Sequence, residues 1–100
     1  MAQPSRYYVV FLTTSYRSLA EAQVDAGELI AAHVARSKEL HKGGTLLMAG
    51  AFLDRPEEPL STMAVLTSRE ACEEFLKGDP FVQNGKVASW TIREWANLFA

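Results

Sequence analysis

A chain of 100 residues, 48% of them apolar and 22% charged, has the length and composition of one globular domain, residues 1–100, and not of a disordered or fibrous polymer. Its formal charge of −2, with ten Lys and Arg residues scattered along the chain, gives no electrostatic footprint for nucleic acid or an anionic membrane surface. The longest strongly apolar run, residues 7–12, is far too short to span a bilayer and the N-terminus lacks a secretory pattern, so a cytoplasmic protein is expected.

Residues 6–13 (RYYVVFLT) are dense in aromatic and β-branched side chains and read as a strand. After a polar stretch, Ala26, Leu29, Ile30, Val34 and Leu40 recur at helical spacing and predict a helix over 26–42, stopped by Gly43 and Gly44. Residues 45–52 (TLLMAGAF) form a second strand. The following LDRPEEP, with Pro56 and Pro59, is a loop. Residues 60–67 (LSTMAVLT) resume extended structure, Ser68 caps a helix through Lys77 with Glu70 in its first turn, and residues 87–95 (VASWTIREW) are a last strand. The order βαββαβ predicts a ferredoxin-like α+β sandwich made of two βαβ-like halves. A single cysteine, Cys72, can hold neither an internal disulfide nor an iron–sulfur cluster, and Glu73 and Glu74 beside it disfavour a thiolate.

Two helices cover one face of a four-stranded antiparallel sheet, so in a monomer the other face should be polar. The first strands break this rule. Tyr8, Val10 and Leu12 alternate with Tyr7, Val9 and Phe11, and Leu46 and Met48 alternate with Leu47 and Ala49. Met63 and Val65 against Ala64 and Leu66 continue the trend, while the last strand is mixed. A second copy packed on the open face would bury that surface, so a homodimer or higher homo-oligomer is expected.

His33 lies four residues after Leu29 and seven before Leu40, which turns it inward with them. An imidazole held against a sheet, with an ordinary pKa of roughly 6.5, is either a satisfied core residue or a proton-transfer group in a pocket. His41, eight positions on, is too distant along the helix to share a metal ion with it, and its place in the last turn suits the helix dipole. GxGxxG, P-loop, HExxH and CxxC patterns are all missing, and the serines lack a nucleophile-elbow context, so neither metal nor cofactor is expected. In GDPFVQNGKV, residues 78–87, Asp79 reads as an N-cap with Pro80 at the first helical position and Gly85 ending the turn. The same carboxylate, if it reaches His33, would fix the imidazole tautomer and stabilise the imidazolium.

The segments YYVVF, AHVARSKELHKGGTLLMAGAF and GDPFVQNGKV, in this order and spacing, resemble the YCII-related (YciI-like) family over nearly the whole chain. The resemblance rests on His33, Leu40, Gly43 or Gly44, Leu46, Leu47, Ala49, Gly50, Asp79, Pro80 and Phe81, and Ala51 departs from it where many relatives carry proline. It implies a dimeric α+β barrel similar to muconolactone-isomerase-like proteins, with His33 and Asp79 as an active-site pair. One class of relatives dehydrochlorinates a hydroxylated aromatic ring. The function so implied is a cofactor-independent lyase or isomerase acting on a small cyclic or aromatic molecule, with His33 as general acid–base and Asp79 as its orienting carboxylate. Tyr8, Phe11, Met48, Gly50 and Phe81 are candidates for the apolar substrate wall, Gly50 by allowing close backbone approach. The alternative is a non-catalytic small-molecule-binding or accessory domain in which His33 and Asp79 are a structural or ligand-orienting pair, sealed if structural.

Overall fold

The computed structural model describes residues 5–99 and arranges them as β1 (Ser5–Thr14), α1 (Leu19–Asp25), α2 (Gly27–Lys42), β2 (Leu46–Ala51), β3 (Ser61–Leu66), α3 (Arg69–Gly78), α4 (Pro80–Gln83) and β4 (Val87–Asn97). The β-branched and aromatic run of β1 takes a central place, hydrogen-bonded to β3 on one side and to β4 on the other. With β2 outside β3, the sheet is antiparallel throughout in the order β2-β3-β1-β4, the ferredoxin-like arrangement expected from the sequence.

One helix was not expected. In α1, Ser18 accepts a hydrogen bond from the Glu21 amide at 3.1 Å, while the Glu21 carboxylate accepts from the Arg17 amide at 2.7 Å. This is close to a capping box, and the helix it starts turns Ala22 into a small cluster with Tyr16, Ala26, Leu60 and Phe81.

The main core fills the inner face of the sheet under α3. Val10, Leu12, Leu46, Ala64 and Leu66 meet Cys72, Phe75 and Leu76 there. By contrast α2 buries none of its residues completely, although Leu40 packs against the same cluster. The longest helix therefore stands partly away from the sheet, and the space between becomes the site.

The face assignment of β2 requires a correction. Leu46 sits opposite Leu66, but the next pairs are Met48 with Val65, Ala49 with Ala64 and Gly50 with Met63, so one extra residue, Leu47, is accommodated by a bulge. A bulge rephases the two-residue alternation. Met48 and Gly50 consequently share the open face with Val65, whereas Ala49 and Ala51 lie under the helices with Ala64 and Thr62. On that open face Tyr7, Val9, Phe11, Leu47, Met48, Met63, Val65 and Trp95 line a shallow apolar groove. Among the described residues, no helix is long and apolar enough to cross a membrane.

Candidate functional site

Helical periodicity puts Ile30, His33, Val34, Ser37, Lys38 and His41 on one stripe of α2, and all six line a cavity of about 480 Å³ between that helix and the sheet. The opposite wall consists of Leu12, Leu46, Ala49, Ala51, Thr62 and Ala64, small or apolar groups brought inward by the rephased β2 and its neighbours. Phe75, Asp79 and Phe81 belong to the same lining. The volume is in the range of small-molecule sites.

Asp79 is delivered by local geometry. It terminates α3 in an extended conformation and N-caps α4, with Oδ2 accepting from the amides of Phe81 at 3.0 Å and Val82 at 3.3 Å. Pro80 fits the first helical position, where an amide hydrogen would have no partner in the turn. The other oxygen, Oδ1, lies 2.5 Å from Nδ1 of His33. With a carboxylate as acceptor, Nδ1 carries the proton and Nε2 remains as the ring position for exchange with a ligand. Asp79 is 1% exposed and His33 22%, so the carboxylate is sealed and the imidazole is partly accessible. Phe75 and Phe81 meet the imidazole edge-on, with ring centroids at 6.2 and 5.7 Å, and restrict its rotation.

Arg36 ties the two elements carrying this pair. Its guanidinium donates to the carbonyl oxygens of Phe75 at 2.8 Å and Glu74 at 2.9 Å, near the end of α3, while lying over the Phe75 ring. Gly78, the residue before Asp79, leaves room for it.

Of the residues expected at the site, the structure brings His33 and Asp79 together and places Met48, Gly50 and Phe81 in the cavity lining. Tyr8 and Phe11 lie elsewhere. The cavity reaches β1 at Leu12 and Thr14, whereas Tyr8 packs nearer the start of the strand with its hydroxyl 3.3 Å from Glu94, and Phe11 points to the open face. Burial, followed by the Glu94 charge, raises the Tyr8 hydroxyl above its ordinary value, and the Arg6 hydrogen bond lowers the Glu94 carboxyl.

Sequence reasoning missed three contributors. Arg36 carried no motif, although its position three residues after His33 places it near the same helix face. Lys38 follows His33 by five residues and also enters the lining. His41 does more than complement the helix end, because its Nδ1 lies 2.8 Å from the Leu46 carbonyl oxygen and its ring borders the cavity. Among the described residues, no group of three or more His, Cys, Asp or Glu side chains is arranged to hold a metal ion.

A family model described as the YCII-related domain matches residues 7–96. No curated protein matches the chain. Among solved structures, the chain is similar to 5-chloro-2-hydroxyhydroquinone dehydrochlorinase from Burkholderia phenoliruptrix in complex with 2,5-dihydroxybenzoquinone, at 16% identity and a TM-score of 0.62, with 91% of this chain and 94% of that one covered. It is also similar to a cofactor-independent oxygenase from Streptomyces nogalater, at 11% identity and a TM-score of 0.53, with 96% of each chain covered. A protein from Mycobacterium tuberculosis aligns at 12% identity and a TM-score of 0.58, covering 96% of this chain and 98% of that one. At these identities the likeness is one of fold.

Proposed function

The chain belongs to the YCII-related family, and on that premise we propose that it is a cofactor-independent enzyme of lyase or isomerase type, acting on a small cyclic or aromatic molecule through proton transfer by His33. The observation that carries this reading is the unequal burial of a bonded pair: Asp79 sealed, His33 open to an apolar cavity. A purely structural pair would have no need of the opening. In the proposed reaction Nε2 of His33 takes a proton from a ring hydroxyl or from a carbon beside a carbonyl, and Asp79 stabilises the imidazolium through Nδ1. The proton then returns at another position in an isomerisation, or the electron pair left behind expels a leaving group in an elimination. Such catalysis contributes about 10²–10⁴-fold, which suits substrates already activated by a carbonyl or phenol. The dehydrochlorinase and the oxygenase, as neighbours in fold, support small-molecule chemistry.

The same reading makes the chain one domain, located in the cytoplasm and working as a homodimer through the open face of the sheet. The apolar groove there supports an association of this kind.

The test is turnover of hydroxylated and halogenated ring compounds and lactones by the wild type and by His33→Gln. Gln keeps one hydrogen bond but transfers no proton. The expected result is a folded variant with turnover abolished. Unchanged turnover in that variant overturns proton transfer by His33, whereas no turnover of any of these compounds by the wild type, with binding retained, leaves a binding domain.

A further inference from the structure

We propose that the cavity contains a second, anion-binding subsite made by Lys38 and His41, and that the ligand is a ring bearing an anionic oxygen, carboxylate or phenolate, on the side away from His33. The inference rests on the function proposed above and narrows its substrate class.

Three observations carry it. The first is spacing. Lys38 and His41 lie five and eight residues after His33 on the same stripe of α2, roughly 7.5 and 12 Å along the axis, so a single ring with a substituent at each end can face both groups.

The second is charge. Lys38 forms none of the six ion pairs among the described residues and none of their side-chain hydrogen bonds. The sole carboxylate in the lining is Asp79, whose two oxygens are already engaged by His33 and by the amides of α4. No acidic group of the cavity lining is left to neutralise the exposed lysine.

The third is preorganisation. The Leu46 carbonyl oxygen accepts a hydrogen bond from Nδ1–H of His41, which fixes the ring and leaves Nε2 to face a ligand, as a donor when the imidazole is charged. One opposing effect must be weighed. The C-terminal turn of α2 carries about half a negative charge, which repels an anion. The full charge of Lys38 exceeds it, so removing Lys38 should cancel the attraction of the subsite for an anion. Lys42 provides an internal control, since it shares the helix end but does not line the cavity.

The experiment is isothermal titration of the full chain with 4-hydroxybenzoate and with its uncharged amide, 4-hydroxybenzamide. The wild type should bind the anion roughly three- to ten-fold more tightly than the amide. Lys38→Met should erase that preference, His41→Gln should reduce it, and both Lys38→Arg and Lys42→Met should keep it. Equal binding of the two probes, binding of neither at millimolar concentration, or equal loss in Lys38→Met and Lys42→Met overturns the subsite. His33→Gln separates the two readings. A retained anion preference with unchanged turnover in that variant removes the proton-transfer reading and leaves the subsite standing, whereas lost turnover with no preference in the wild type does the reverse.

Discussion

Gly78 and Arg36 fit together because residue 78 has no side chain: a Cβ there would stand 2.7 Å from the guanidinium carbon. The guanidinium cannot move away without giving up its bonds to the Glu74 and Phe75 carbonyl oxygens. Since Gly78 is followed directly by Asp79, this contact sets how the end of α3 meets α2, and with it the approach of the carboxylate to His33.

Gly78→Ala should therefore lower stability by about 1 kcal/mol, the lost charged hydrogen bonds exceeding the better helix propensity of alanine. For a chain of this length the melting temperature falls by roughly 4–8 °C. Arg36→Lys should behave similarly, because an ammonium cannot reproduce the planar fork across two carbonyls. Calorimetry checks both, and a shift in the His33 imidazole resonances in either variant marks the displaced carboxylate.

Asp79→Ala removes the cap of α4 and leaves Nδ1 of His33 without its partner, so a loss of about 2–4 kcal/mol is expected. Asp79→Asn is milder and more informative. An amide oxygen can still cap α4, but the amide nitrogen then donates to Nδ1 and drives the ring proton to Nε2. Imidazole nitrogen chemical shifts should report the reversed tautomer in a protein that is still folded.

Burial raises the Cys72 thiol above its ordinary value. Its folded-state pKa thus lies above the unfolded one, so the stability it contributes is complete below about pH 8.5 and is lost as the pH rises through the folded pKa. Ellman's reagent at pH 8 should react with less than a tenth of an equivalent of native protein and with one full equivalent in guanidinium. Prompt reaction of the native protein would contradict the sealed environment.

Light scattering at low micromolar concentration should give twice the 11.1 kDa chain mass. Phe11, 37% exposed on the open face, is the position at which to break the association. Phe11→Lys should yield a folded monomer with an unchanged far-ultraviolet spectrum. A wild-type monomer would remove the argument from the apolar groove.

Much of this arrangement was legible because local rules agree with tertiary ones. The periodicity around Leu29 and Leu40 turned His33 inward, and the Asp-Pro pair announced the cap of α4 that holds the carboxylate. That the two meet across 46 positions is tertiary information, supplied by where α3 ends against α2. Leu46, Leu47 and Met48 are all apolar, so their alternation had no phase and could not reveal the bulge. Tyr8 and Phe11 failed as cavity residues for a related reason: alternation states which face a residue takes, not how far along β1 the cavity extends. The Ser18 to Glu21 capping pattern, by contrast, stands in the sequence, inside a segment that reads only as a polar stretch. Polarity hid that helix because its buried contribution is mainly a pair of alanines, Ala22 and the following Ala26.

The extra residue in β2 has one more effect. By turning Met48 outward at the sheet edge, it makes this 60%-exposed side chain, together with Met63, part of the wall of both hollows, the cavity under α2 and the groove on the other face. Thioether side chains repack easily, so filling one hollow should alter the shape offered by the other. In the proposed homodimer, occupancy and self-association would be linked equilibria, and linkage is reciprocal. Whatever factor a ring compound adds to the dimerisation constant, dimerisation must add to the affinity for that compound. Sedimentation with and without ligand, compared with titrations at two protein concentrations, should return the same factor, and Met48→Ala should diminish both measurements together.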